Sequence, residues 1–332
     1  MGMVFVLLSL VGADAHAQGF DGQRHTPPAG SSGGLAVERA DITAAGSLGL
    51  YASLATSPVI FRRDGVITER PLRSAMVLDL MGSIALVDRL ELGLSVPVAP
   101  IYAGDRLVQP EYTFEAAPGL GDLRLAPKLA ILGETGRDGL RLGVSVPVRI
   151  PTGNEDALRG AGEPAVEPTL LLGGQISRFG LHATGGFRWR PGLDEEDLVG
   201  NEITYGVAAV LTLLKDTEGG FDLLLEGYGA VDVNRPGPEL TDYPLELLAG
   251  VAYRPNDDWA IRAGFGPGLT NGLGTPDARL TLGLRFAPRA APPDADGDGI
   301  EDDLDKCPHK PEDFDGHRDR DGCPDPMKKA QE

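Results

Sequence analysis

The sequence predicts an all-β fold: a transmembrane, antiparallel up-and-down β-barrel of about twelve strands over residues 40–288, with an irregular Asp-rich tail after it. Three observations carry this reading. Apolar and polar residues alternate strictly along segment after segment, the period-2 pattern of strands. After the first residues, no run is long and apolar enough to cross a bilayer as a helix. The connections between the alternating segments are short and long in turn, as in a barrel with tight turns at one rim and loops at the other.

The chain opens on a secretory signal peptide, residues 1–17. Met3 to Val11 is an apolar core, and Ala15-His16-Ala17 is a small-x-small cleavage pattern. Export places the two cysteines, Cys307 and Cys323, in an oxidising compartment. Residues 18–39 lack strand periodicity and are expected to be a periplasmic segment ahead of the barrel.

Twelve alternating segments then begin near Ile42, Arg73, Leu90, Gly121, Leu140, Ala165, Leu181, Glu202, Phe221, Tyr243, Trp259 and Ala278. In "LELGLSVPVAP", Leu90, Leu92, Leu94, Val96 and Val98 face one way while Glu91, Gly93 and Ser95 face the other. "LRLGVSVPVRIP" from Leu140 is a near copy. Short turns are expected near Asp88-Arg89, 136–139, 178–180, 216–220 and 256–258. Longer loops are expected near 56–72, 104–119, 152–164, 191–201, 234–242 and 270–277. A soluble antiparallel sandwich also alternates. The barrel is favoured because the apolar face carries almost no charge while basic and acidic side chains collect on the other face, and because a closed barrel satisfies every backbone group in lipid.

The polar face places Arg124, Lys128, Arg141, Arg149, Arg188, Arg190, Arg262, Arg279 and Arg285 in the lumen. Two roles are open to them. They form a ladder that selects anionic solutes, or they pair with Asp79, Glu91, Asp122, Asp222, Glu226 and Glu246 and seal the lumen. His182, the barrel's single histidine, has no nucleophile motif beside it, so the chain is not expected to be an enzyme. A net charge of −19 gives no basic footprint for nucleic acid.

After a Pro/Ala linker over 289–293, residues 290–332 carry 14 acidic and 6 basic residues, a net of −8. With Asp294 as position 1 of a loop, Asp296, Asp298, Asp302 and Asp305 fall at positions 3, 5, 9 and 12. Gly299 falls at the sharp turn, and Ile300 offers a backbone carbonyl at position 7. Calcium wants six to eight oxygens, and this register supplies them. Crowded carboxylates repel unless a cation neutralises them, so Ca2+ binding and folding are expected to be coupled here. A second, degenerate set comprises Asp313, Asp315, Asp319 and Asp321.

"DADGDGIEDDLDKCP" and "PEDFDGHRDRDGCPD", spanning 294–326 before the last residues 327–332, resemble thrombospondin type 3 repeats. That resemblance implies Asp-rich calcium loops joined by disulfides, with Asp294, Asp296, Asp298, Ile300, Asp302 and Asp305 as ligands and Cys307 paired with Cys323. "RLTLGLRF", ending on Phe286, resembles the final-strand signal of outer-membrane barrels, which implies recognition by the barrel-insertion machinery. Signal peptide, barrel and tail together resemble outer-membrane proteins of the OmpA type from Gram-negative bacteria. "GLGDLRLAPKLAIL" and "VSVPVRIPTGN" also resemble strands of twelve-stranded proteins grouped with aromatic-degradation transport. In the OmpA type a globular peptidoglycan-binding domain follows the tail. The sequence stops at "PMKKAQE" before any such domain, so cell-wall binding is not carried over, and the two expectations are a truncated longer chain or a different role.

The functional expectation is a barrel embedded in outer-membrane lipid, with a calcium-binding tail in the periplasm and a structural role in the envelope. The alternative is a narrow porin-like channel for small solutes, and an adhesin comes third.

Overall fold

The computed structural model describes residues 20–63, 66–108, 113–133, 138–192, 199–216, 219–234, 243–288, 295–300, 305–314 and 318–324. The signal peptide, the 289–293 linker, residues 327–332 and three proposed ligands (Asp294, Asp302, Asp315) lie outside them. The chain forms two compact units, one ending at Pro288 and one starting at Arg289.

The first unit is a closed barrel of twelve antiparallel strands. In chain order these are β1 (Gly46–Arg63), β2 (Val66–Val87), β3 (Leu90–Ala103) and β4 (Leu123–Leu132). Next come β5 (Gly139–Ser145, resumed over Val148–Ile150), β6 (Ala165–Val166, resumed over Thr169–Ile176), β7 (Phe179–Arg188) and β8 (Glu202–Asp216). The last four are β9 (Gly219–Asp232), β10 (Leu245–Arg254), β11 (Trp259–Pro267) and β12 (Ala278–Phe286). Each strand pairs with its sequence neighbours, and β12 closes on β1 from Leu48↔Phe286 to Thr56↔Ala278. No sheet edge is left for lipid to meet, which is the condition for crossing a bilayer with strands.

The alternation sets the two faces. Outward positions carry exposed large apolar side chains, among them Leu50, Leu80, Leu225 and Leu282, whereas Glu91, Ser95, Glu226 and Thr281 on the other face are buried. Strands β5 and β6 are interrupted at Pro147 and Pro168, which have no N–H for the ladder. Backbone bonds from Val146 to the Pro127 carbonyl and from Glu167 to the Pro147 carbonyl, both 2.9 Å, carry the wall across the gap.

One expected loop is a hairpin instead. Residues 56–72 read as one of the longer connections. The pairing of β1 with β2 nevertheless continues through shifts between Thr56 and Arg62, with Ser57 at φ +50°. This is the behaviour of a bulge, which bends a strand without ending it. Beyond it, Val59 and Leu72 join Phe20, Tyr102, Leu107, Phe114 and Leu158 in an apolar cluster at the long-loop end.

The largest departure from expectation concerns the segment before β1. Instead of being free in the periplasm, residues 20–45 fill the barrel interior. The Ala45 carbonyl accepts a bond from Ala85 (2.8 Å) beside the short-turn rim, and at the other end the Gly22 amide donates to the Leu158 carbonyl (3.0 Å). Phe20 lies in the apolar cluster at the loop end. Leu35 packs in a second cluster with the inward-facing Val210, Leu224, Leu248 and Ala252. A Gly/Ser/Pro-rich stretch shows no amphipathic period, so its destination is invisible to a pattern search.

The second unit is irregular. Cys307 and Cys323 form a disulfide with Cα atoms 5.1 Å apart. Beside it, the Lys306 amide donates to the Asp321 carbonyl at 3.0 Å.

Candidate functional sites: the filled lumen and the Asp-rich tail

All nine basic residues placed in the lumen by the sequence line the barrel interior, and they divide by partner. The first group pairs with carboxylates. Lys128 sits opposite Glu91 in register and contacts it at 2.8 Å, with Glu38 of the inner segment at 3.8 Å. Arg279 forms a two-pronged contact with Glu246 (2.7 and 3.1 Å) and bonds the Ser53 hydroxyl. Arg188 joins Glu167 and Glu202, both at 2.9 Å. Arg190 adds a second cation to Glu202 at 2.9 Å, and Arg24 from the inner segment a third at 2.5 Å. Glu202 was not among the acids singled out from the sequence. It starts β8 directly opposite Arg188, so strand register is the signal that would have found it.

The second group turns to the inner segment. Arg124 donates to the Pro27 carbonyl at 2.7 Å. Arg285 donates to the Pro28 carbonyl at 2.6 Å and to the Gly30 carbonyl. Arg149 lies 3.9 Å from Asp21. Arg262 donates to the Tyr51 hydroxyl at 2.6 Å, and Arg141 is buried. Cross-strand pairing therefore accounts for only part of the set, and gripping the inner segment is a role the sequence did not suggest.

The carboxylates divide the same way. Glu226 is fully buried and accepts three consecutive backbone amides: Leu35 on Oε1 at 2.7 Å, and Ala36 and Val37 on Oε2, both at 2.8 Å. A carboxylate under three N–H donors makes charge-assisted bonds, stronger than neutral ones. The fit needs Gly34, because a Cβ there would lie 1.8 Å from Oε1. Glu91 accepts the Ser31 amide at 2.7 Å and the Ser83 hydroxyl at 2.9 Å. Asp79 accepts from Gln23 and Ser95, and Asp122 from the Gly153 and Ala161 amides at 2.9 Å. Asp222 pairs with Arg254. His182 is buried on the inner face, opposite Gly173 and Ala208.

Between segment and wall lies a cavity of about 120 Å³, bordered by Pro28, Glu38, Arg124, Glu167, Arg188 and Thr204 among others. That is room for on the order of four waters.

In the tail, carboxylate oxygens of Asp296, Asp298 and Asp305 lie within 4.8 Å of one another. Ile300 donates its amide to Asp298 at 2.8 Å, and Glu312 does the same at 2.8 Å from inside the disulfide loop. Gly297 (φ +77°) and Gly299 (φ +90°) adopt the left-handed conformation that lets the loop turn between its aspartates. Asp305 is 8% exposed. Its Oδ1 accepts the Cys307 amide at 2.7 Å, while the buried Oδ2 has no hydrogen-bond partner. Among the described residues, Asp313, Asp319 and Asp321 form no comparable cluster. Asp321 contacts Lys306 at 3.1 Å, so it already has a cation.

No family model matches the chain, and no curated protein is similar to it. Solved structures do match. The chain resembles an outer membrane channel from Pseudomonas putida F1 with a TM-score of 0.53 at 16% identity, over 74% of this chain and 96% of that one. It also matches the KdgM porin in complex with oligogalacturonate (TM-score 0.44, 9% identity, 73% and 99%) and the NanC porin (0.45, 9%, 73% and 100%). The first of these likenesses supports the fold of an outer-membrane β-barrel.

Proposed function

We propose that the chain is a narrow outer-membrane channel for small solutes, carrying a calcium-binding extension in the periplasm. One observation carries the channel reading. A closed twelve-stranded wall turns apolar side chains outward and encloses a charged interior filled by a separate segment of chain, not by a packed apolar core. The likeness to the Pseudomonas channel supports the same reading, which we now place ahead of a purely structural role in the envelope. The outward face meets outer-membrane lipid. The final strand, ending where Phe286 stacks on Trp259 at 4.8 Å, is the candidate signal for the insertion machinery.

For the extension, the convergence of Asp296, Asp298 and Asp305 supports a Ca2+ site, with Asp294, the Ile300 carbonyl and Asp302 completing the sphere. Ion binding there would draw the disulfide loop and the Asp-rich loop together. Reconstitution in planar bilayers tests the channel: discrete single-channel steps are expected, and a purified, folded protein that never conducts, even without residues 20–41, would count against it.

A further inference from the structure

The lumen arginines do not all have the same kind of partner. Lys128, Arg188, Arg190 and Arg279 contact glutamates. Among the described residues, Arg124 and Arg285 contact no carboxylate. One terminal nitrogen of Arg124 donates to the Pro27 carbonyl while its buried Nε has no hydrogen-bond partner, and Arg285 donates to the Pro28 and Gly30 carbonyls. Arg285 uses both terminal nitrogens on two oxygens, the fork geometry that guanidinium uses for a carboxylate. Pro27 and Pro28 have no N–H, so this stretch offers these arginines acceptors alone. The inner segment thus occupies two cationic groups in the way an anion would, with oxygens that carry no full charge. The cavity between segment and wall borders Arg124 and Pro28 but not Arg285, so a small solute held there lies first beside the Arg124 guanidinium.

We propose that residues 20–45 are a gate held shut by Arg124 and Arg285, and that a small carboxylate-bearing solute opens it by taking these two guanidiniums from the Pro27, Pro28 and Gly30 carbonyls. A carboxylate competes because it brings two charged oxygens where the segment brings neutral ones. The segment is suited to release, since most of its polar grip is on backbone atoms and its main apolar anchors are Phe20 and Leu35. This rests on the channel reading and adds what gates the lumen and which solute class it senses.

The test uses the full chain in planar bilayers, with acetate as probe and chloride as control at equal ionic strength. Wild type is expected to open rarely in chloride and at least five-fold more often in acetate. The variant carrying Arg124→Gln and Arg285→Gln is expected to open in both salts with no acetate response. A second variant, Gly34→Cys with Glu226→Cys, tethers the segment to the wall. It is expected to stay closed in acetate until a reductant is added, with each single cysteine variant as control. Heat-modifiable gel mobility verifies that every barrel is folded. An acetate response that survives in the glutamine variant, or a tethered protein that conducts like wild type, overturns the gate and leaves the channel standing. Silence of all variants, including a deletion of residues 20–41, overturns the channel itself and the gate with it.

Discussion

The barrel interior and the Asp-rich tail both crowd carboxylates into a small space, and they solve the problem in opposite ways. Inside the barrel several wall acids meet donors that the protein supplies. Glu202 has three arginines, Glu246 a two-pronged guanidinium, and Glu226 three backbone amides. In the tail the carboxylates of Asp296, Asp298 and Asp305 converge within 4.8 Å of one another, and the buried Oδ2 of Asp305 accepts no hydrogen bond. Acidic density is therefore structural in one region and, on the calcium reading proposed above, a site for an external cation in the other. The contrast predicts that deleting a barrel carboxylate damages the protein under all conditions, whereas deleting a tail carboxylate matters only when calcium is present.

The largest effect is expected at Glu246. It is 3% exposed, as is its partner Arg279. Glu246→Ala leaves a buried guanidinium without its counter-charge, a change that costs about 3–5 kcal/mol. Urea unfolding in lipid vesicles should show that loss whether or not calcium is added. Stability unchanged within error would mean that water replaces the carboxylate, and that the interior is wetter than the pairing implies.

Glu226 separates the wall from the segment it holds. In Glu226→Gln one of the two acceptor oxygens becomes an NH2 group facing backbone donors. Leaving such a donor unsatisfied costs about 1–3 kcal/mol. Because the loss falls on the contact with residues 35–37, hydrogen exchange should quicken at the Leu35, Ala36 and Val37 amides while the β12–β1 ladder stays protected. Uniform quickening would show instead that segment and wall unfold as one unit.

The wall was legible in the sequence, and its filling was not. Twelve strands could be read because side chains alternate between lipid and lumen, a pattern carried by residue type. Leu280, Leu282 and Leu284 declare their face whatever lies beyond it. The contacts that fix the inner segment are carried largely by backbone atoms. Arg124 and Arg285 hold carbonyls and Glu226 holds amides, groups that every residue or nearly every residue owns. Alternation could place those three side chains in the lumen, but it could not name a partner with no side-chain identity. The hairpin over 56–72 is a different miss, because the register shift between Thr56 and Val59 breaks the alternation that marks a continuing strand. In the tail, three of the aspartates picked out by register, Asp296, Asp298 and Asp305, converge because their spacing along one loop brings them together.

For the tail, Asp305→Asn should be nearly silent in a chelator, since Oδ1 still accepts the Cys307 amide, the unpartnered Oδ2 position takes the NH2, and one of several repelling charges is removed. In calcium it should lower affinity at least ten-fold by isothermal titration of the full chain. Protection of the tail from protease, expected in wild type on adding calcium, should be lost in parallel. A tail equally protected in chelator and in calcium would erase the proposed contrast between the regions.

The smallest effect is expected at Asp321, whose carboxylate contacts Lys306 at 3.1 Å. The hydrogen bond from Lys306, aided by its charge, holds the Asp321 carboxyl below the usual aspartate range. A depressed carboxylate stabilises the folded form above its unfolded pKa, about 3.9. That contribution fades as pH falls through the lower folded value. Lys306→Met should therefore raise the Asp321 pKa toward the ordinary value, seen by NMR titration of its side-chain carbon in the presence of chelator, and leave the barrel's unfolding midpoint at neutral pH unchanged. If Asp321 titrates normally in the wild type, the contact is one that solvent screens, and this part of the tail depends on a cation as fully as Asp296, Asp298 and Asp305 are proposed to do.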